Sequence, residues 1–388
     1  MTTPIFAGQT FYAPHFEIKL RGQNLSRAVI RDVLDVTYSD SLDRLDSFEF
    51  TLHDWDPVLR LPKYSSPFDE SGALRKLPDG SPVPNFDPGA KVELRMGYYG
   101  KDEPRLMMTG QVVSLAPSFP ASGAPTLKVR AISLLYTLQR AQQTKIFENK
   151  TDTQIAQEIA DDLEIELETP PGQSDGESTN EYLALNNEYP IIFLMGRARR
   201  LGYDLYVTLP EDGSDPKLFF GRTPTSDTVY ELEWGKSLIQ FSPTLKTKGQ
   251  IAKVVVRGWN PLGQGDDRRI EGQATIQDIN PQLPDSQLLS SIDSALAETQ
   301  EVVVDDPIRS QDEANRMARG ILESKLKDLV TGRGSTVGLP DLRAGRTIVI
   351  KGLGPRYSGS YVVTETTHSI GGGGYGSDFS ARLEGPAA

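Results

Sequence analysis

The sequence predicts an α+β protein that is mainly β, with two antiparallel β-barrel regions flanking a small α/β domain. Three observations lead there. Alternating runs rich in Val, Ile, Tyr, Phe and Thr dominate both ends, as in "FEIKL" and "KVELRMGYY" early and "VVVRGW" and "GRTIVIK" late. Helical periodicity is concentrated in the middle of the chain. The two β-rich ends also echo each other: "GAKVELR" at 89–95 lines up with "GRTIVIK" at 345–351, and "TGQVV" at 109–113 with "SGSYV" at 358–362. Each copy gives a glycine, then apolar-x-apolar-basic, then a second glycine before a strand. The expected domains are a first barrel at 1–140, an α/β domain at 141–236 and a second barrel at 237–388.

In chain order, Phe16 to Leu52 is β-like, with Phe48, Phe50 and Leu52 on one side and Glu49 and Thr51 on the other. Residues 56–88 hold seven prolines, which cannot donate to a ladder, so an inserted surface loop is expected. Strands resume with "KVELRMGYY", "LMMTGQVVSL" and "TLKVRAIS", followed by a short helical "LLYTLQR". Thr151 and Gln154 form a capping-box pattern for a helix to Leu163, with Ile155, Ile159 and Leu163 in one stripe. "TPPGQSDGESTN", 169–180, reads as a linker or mobile loop. A second helix starts near Pro190, runs through Leu194, Ala198 and Leu201, and stops at Gly202. After the strand "YDLYV", strands recur from 238 to 260, before a polar insert at 261–300. Ser310 and Glu313 open a third helix, 310–329, with Ala314, Met317, Ile321 and Leu322 inward and Lys325 and Lys327 at its negative pole.

The glycines around "GLG", 352–354, invite a phosphate-loop reading, but Tyr357 stands at the third glycine position of G-x-G-x-x-G and another strand follows instead of a helix. Corners between strands fit better, and Gly89, Gly110, Gly202, Gly345 and Gly359 are the expected structural turn glycines. "GQSDG", 172–176, matches the serine-elbow pattern without the strand and helix that make the elbow work. "WGKS", 234–237, resembles the end of a phosphate loop whose first glycine is replaced by Tyr230. Asp40, Asp43, Asp46 and "HDWD" at 53–56 lack calcium-loop spacing and read as strand-end and turn carboxylates. There is no cysteine, and His15, His53 and His368 are far apart in sequence. No catalytic residue, cofactor or metal is therefore expected.

A net charge of −12 argues against specific nucleic-acid binding, and the short basic clusters Arg197, Arg199, Arg200 and Arg268, Arg269 read as solvated faces or partner contacts. "MTTPIFAGQTFYAPHFE" lacks the charged and apolar regions of a signal peptide, and the longest apolar run, "IIFLM", is too short to span a bilayer. No membrane insertion is expected, and the chain is expected in the cytoplasm unless a particle carries it out.

Seven blocks, "SLDRLDSFEFTLHDWD", "GYYG", "LMMTGQVVSLAPSF", "FLMGRARRLGYDLYV", "LEWGKSLIQFSPTL", "VVVRGWNP" and "LRAGRTIVIKGLGPRYSGSYVVTETTHS", occur in the same order as in the phage late control D family, which this chain resembles over nearly its whole length. That family contains baseplate hub proteins of contractile phage tails and injection systems and is similar to the N-terminal part of valine-glycine repeat spike proteins. The resemblance implies two tube-like barrels and a structural hub without turnover. It implies a homotrimer whose six barrels join a sixfold tail tube to a threefold spike, with tail tube protein, a separate spike protein and other baseplate components as partners, assembled in the cytoplasm into a particle. Three chains would carry a formal −36, three times −12, and an acidic channel wall would repel an acidic cargo. The alternative is a cell-wall-active enzyme or carbohydrate-binding β-protein of the tail tip.

Overall fold

The computed structural model describes residues 3–4, 13–42, 44–100, 103–133, 141–162, 164–174, 177–208, 217–222, 228–259, 268–279, 281, 283, 286–297, 299–304, 308 and 310–386. It is mainly β. The first part comprises β1 (Thr3–Pro4), β2 (Pro14–Leu20), β3 (Gln23–Asn24), α1 (Arg27–Asp32), β4 (Val33–Ser41), β5 (Ser47–His53), β6 (Lys91–Tyr98), β7 (Arg105–Ser118) and β8 (Thr126–Ser133). Strands β2-β6-β7-β8-β5-β4 pair antiparallel in that order. Alternation sets which face is buried: on β5, Phe48, Phe50 and Leu52 are buried while Ser47, Glu49 and Thr51 face the other way.

The proline-rich insert departs from the expected surface loop. Tyr64, Leu77, Val83 and Phe86 are buried in the core of the first barrel, and Phe86 meets Phe50 edge-on with ring centroids 5.5 Å apart. Proline forbids a ladder but not burial, so the freed polar groups take side-chain partners instead. The buried Asp54 carboxylate accepts the Tyr64 N–H at 2.6 Å and the Ser65 N–H at 3.2 Å, and the Arg75 guanidinium donates to the carbonyls of Pro62, Lys63 and Ser66.

The middle of the chain holds β9 (Gln143–Lys150), α2 (Asp152–Asp161), β10 (Glu166–Glu168), β11 (Asn180–Glu188), α3 (Pro190–Leu201), β12 (Asp204–Thr208) and β13 (Lys217–Gly221). Sheet β10-β13-β12 and ribbon β9–β11 cover a core that includes Phe147, Ile155, Ile159, Leu194 and Phe220. The capping box at α2 is complete: the Thr151 hydroxyl accepts the Gln154 N–H at 3.2 Å and the Gln154 side chain accepts the Thr151 N–H at 3.0 Å. The tract read as a linker is tied down. Gln173 donates to Thr153 and to the Phe220 carbonyl, and the Glu177 carboxylate accepts from the Thr153 N–H and hydroxyl. Residues 134–140, read as helical, and Leu163 lie outside the described residues.

The last part comprises β14 (Thr228–Glu233), β15 (Leu238–Leu245), β16 (Lys253–Trp259), β17 (Arg269–Thr275), α4 (Ile276–Ile279), α5 (Ser286–Leu296), β18 (Gln300–Val303), α6 (Gln311–Leu326), β19 (Val330–Val337), β20 (Thr347–Lys351), β21 (Gly359–Gly371) and β22 (Gly374–Gly385). Its barrel order is β14-β20-β21-β22-β19-β15. Strand β14 runs parallel to β20, an exception to the expected antiparallel barrel, and although it falls in the range assigned to the α/β domain it pairs with the second barrel. Within the stretch expected as a polar insert, 261–300, the described residues include β17, α4 and α5. Strand β17 joins β16 and β18 in a sheet, and α6 packs across β16 and β17. On α6 the apolar stripe buries Ala314, Ala318, Leu322 and Leu326, with Met317 and Ile321 partly covered, because i, i+4, i+8 spacing lands on one face.

Candidate functional surface

Five strands of each barrel correspond one to one. In the first, β6-β7-β8-β5-β4 are neighbours in that order; in the second, β20-β21-β22-β19-β15 repeat the order and the chain sequence. The backbone bonds match in detail. Gly89 donates to Val112 at 2.8 Å and Val112 to Ala90 at 2.9 Å, while Gly345 donates to Val363 and Val363 to Arg346, both at 2.9 Å. Each pair of long strands is bulged just after this point, between Val112 and Ser114 on β7 and between Val363 and Glu365 on β21. Both β4 and β15 bulge as well, at Leu34 and at Ile239, and both of these side chains are exposed.

This correspondence places each expected turn glycine. Gly89 and Gly345 occupy equivalent corners with φ of 87° and 83°, and Gly202 ends α3 in the left-handed region with φ of 68°. Gly110 is not at a turn. It lies inside β7, where a Cβ would come within 2.1 Å of the Ile132 carbonyl oxygen. Gly359 opens β21 and is not its counterpart, because matching Val112 with Val363 sets Gly110 against Tyr361. Gly352 and Gly354 sit with positive φ between β20 and β21, with a strand following.

The barrels fuse through one joint. Beyond the part of β21 that pairs with β20, residues 365–370 pair antiparallel with β4, Glu365 opposite Ser41 through Ile370 opposite Val36, making a single fourteen-stranded sheet. A buried polar cluster spans it. The Arg343 Nε–H donates to the Asp40 carboxylate at 2.6 Å, and its Nη2 group donates to the Tyr38 hydroxyl and to the Met107 carbonyl. Asp40 also accepts the Ala344 N–H and the Thr366 hydroxyl. His368 donates Nε2–H to the Leu342 carbonyl at 2.9 Å, so its Nδ1 accepts from the Tyr375 and Ser377 hydroxyls, each at 3.0 Å. Burial pushes Asp46 up to about 8, with Asp40 adding to the rise, and burial pushes His368 down to about 4. Asp40, Asp46 and His368 were all in view in the sequence, but nothing there pairs Asp40 with Arg343.

The opposite face of this sheet is polar and continuous across both barrels. By cross-strand register, one row runs Ser242, Arg333, Ser380, Glu365 and Ser41, and the next runs Gln240, Ser335, Asp378, Thr367, Ser39 and Ser47. A further row joins Ser369, Thr37, Glu49 and Arg130. The Ser39 and Thr367 hydroxyls lie 3.3 Å apart across the joint. Among the described residues this face carries Arg44, Lys128, Arg130 and Arg333 against Asp35, Glu49, Glu365 and Asp378. These four basic and four acidic side chains intersperse both signs across this face.

The remaining motifs are structural. The Ser174 carbonyl accepts the Glu177 N–H beyond the end of β10 at Glu168, and Asp175 and Gly176 lie outside the described residues. The Ser237 hydroxyl of "WGKS" caps the Glu233 N–H at 2.9 Å between β14 and β15. Asp54 and Asp56 bond backbone N–H groups, and Asp43 lies outside the described residues. Arg197 forms a two-pronged pair with the buried Asp152. Among the described residues no helix is long and apolar enough to cross a membrane.

This arrangement is the fold of tail and secretion-system proteins. The 43 kDa tail protein of prophage MuSo2 from Shewanella oneidensis superposes with a TM-score of 0.66 at 14% identity, covering 96% of this chain and 99% of that one. A tail protein from Neisseria meningitidis gives 0.66 at 12% identity, with 96% and 97% covered. An Escherichia coli component of the type VI secretion system, described as structurally similar to the T4 tail proteins gp27 and gp5, gives 0.54 at 12% identity, with 96% and 77% covered. Residues 79–372 match the Alg8 N-terminal domain family, Alg8_N, and the chain belongs to that family. That match does not itself name the late control D group that the ordered motifs resemble. No curated protein matches the chain.

Proposed function

We propose that the chain is a structural hub of a contractile tail or injection system, in which three copies present six barrels and join a sixfold tube to a threefold spike. The observation that carries this reading is the fusion of two matching barrels into one sheet with an unbroken, charge-balanced polar face. Two equivalent barrels per chain let a threefold ring offer six near-equivalent docking positions, which a one-barrel subunit reaches only as a hexamer. A wall of Ser and Thr with balanced charge has no net attraction for a cargo of either sign, so passage is not slowed by adsorption. The tube protein, the central spike and further baseplate components are the partners on this reading, and the chain works as part of an assembled particle. Similarity to the late control D group in motif order supports the same role. Native mass spectrometry of the chain with its cognate tube protein tests it: three copies of the chain per tube ring are expected, and one or six copies would overturn the reading.

A further inference from the structure

The internal joint between β21 and β4 has a counterpart that is left open. Strand β7 is the equivalent of β21, and β4 is the equivalent of β15. Residues 114–118 of β7 pair with β8 on one side, and among the described residues no strand pairs on the other; the outer edge of β15 from Gln240 onward is open in the same sense. Each chain thus carries one copy of each half of the joint. Halves left open on one chain can make a head-to-tail contact between copies, and such a contact closes into a ring when the rotation from copy to copy adds up to a full turn.

We infer that residues 114–119 of one copy pair antiparallel with residues 241–246 of the next, in the register fixed by the internal joint. Carrying Glu365 opposite Ser41 and Ile370 opposite Val36 onto the second pair of strands sets Ser114 opposite Lys246, Leu115 opposite Leu245, Ala116 opposite Thr244, and Phe119 opposite Phe241. The inference rests on the ring reading above and names its subunit contact.

Exposure singles out the same residues. Ile370 is 7% exposed where it enters the neighbouring barrel, whereas its counterpart Phe119 is 59% exposed. Phe241, which Phe119 would face, already packs against Tyr361 and Phe379. An aromatic ring left in water beside an aromatic cluster on a matching edge is an anchor without its pocket. The polar cluster of the internal joint is replaced as well: Asp40 and Thr366 correspond to Leu245 and Leu115. A contact made after folding then has no buried charge to desolvate. Pro117 falls opposite Pro243, each with its ring nitrogen toward the open edge. The ladder opens at that pair, and before assembly the prolines blunt both edges against pairing with other strands.

The chain has no cysteine, so an engineered pair reports without ambiguity. Ala116 and Thr244 would face each other at a narrow, non-hydrogen-bonded position, about 4.5 Å between Cα atoms, within disulfide range. The double variant Ala116→Cys, Thr244→Cys, oxidised as the assembled protein, is expected to run as a covalent trimer that reductant returns to monomer. Ala116→Cys with Ser242→Cys, two residues out of register, is expected to stay uncrosslinked. Phe119→Asp is expected to abolish assembly while leaving the circular dichroism spectrum and melting temperature of the monomer unchanged. A trimer that forms but crosslinks only in the shifted pair, or in neither, overturns this contact and leaves the hub reading standing. A chain that stays monomeric with its tube protein present overturns both.

Discussion

Replacing Arg343 with Met tests whether a buried ion pair holds the two barrels together. The guanidinium bonds Asp40, the Tyr38 hydroxyl and the Met107 carbonyl, and the Arg343 and Asp40 side chains are only 13% and 5% exposed. Removing one partner of a buried pair costs about 3–5 kcal/mol, because the other charge stays behind uncompensated. Asp40 keeps the Ala344 N–H and the Thr366 hydroxyl, which places Arg343→Met near the low end, about 3 kcal/mol. At about 2.1 cal/mol/K of unfolding entropy per residue, a 388-residue chain unfolding as one unit would lose about 4 °C of melting temperature. Arg44→Ala is the control on the same joint, since Arg44 pairs with Glu365 at the surface with its side chain 67% exposed; it is expected to cost no more than about 1 kcal/mol. Adding Asp40→Leu to Arg343→Met removes the stranded charge, and the double variant is expected to lose less stability than Arg343→Met alone. Scanning calorimetry at pH 7 measures all four proteins. Equal losses for Arg343→Met and Arg44→Ala, or a double variant worse than the single, would refute the reasoning.

Asp46→Asn tests the burial of the neighbouring acid. With its native pKa raised to about 8, Asp46 keeps a proton that the unfolded chain has lost above about pH 4, so its stabilisation fades as pH rises toward 8. His368 opposes that slope below pH 6.5, where lowering the pH protonates the unfolded chain first. His368 is common to both proteins and cancels from their difference, so between about pH 4 and 8 the variant should gain on the wild type by up to about 1.4 kcal/mol per pH unit, and denaturant titrations showing a constant difference would count against it. Gly89→Ala should cost about 1 kcal/mol for its left-handed backbone. Gly345→Ala should cost more, since its Cβ would also come within 2.5 Å of the Tyr206 ring, and equal melting temperatures for the two would contradict this. Ser174→Ala should stay within about 0.5 kcal/mol of wild type, whereas Gln173→Ala, which removes hydrogen bonds to Thr153, the Phe220 carbonyl and the Arg222 N–H, should cost about 1–3 kcal/mol by urea unfolding.

Much of the local structure was legible because it is written in short-range chemistry. Thr151 with Gln154, Pro190 with Gly202, and the alternation through Phe48 to Leu52 each specify an element within a few residues. The Gly89 and Gly345 corners were legible for the same reason. The second half of the echo was misaligned by two residues: matching glycine to glycine set Gly110 against Gly359, while the ladder sets Gly110 against Tyr361. Strand register is fixed by partners, and a glycine within a strand reports only how closely the next backbone approaches. The proline-rich insert misled because proline content speaks to ladders, not to the burial of Tyr64 and Phe86. The joint itself was out of reach, since Asp40 and Arg343 are about three hundred residues apart in sequence and meet only once both barrels have formed.

The central claim is that the polar face of the fused sheet is the wall of a tube. A reconstruction by electron cryomicroscopy of the chain bound to its cognate tube protein tests it most directly. Three copies are expected in the ring, with Ser39, Thr367, Ser335 and Asp378 turned toward the lumen and the barrel cores turned away from it. A six-copy ring, or a lumen lined by the helices of the α/β domain with the polar rows facing outward, would contradict it.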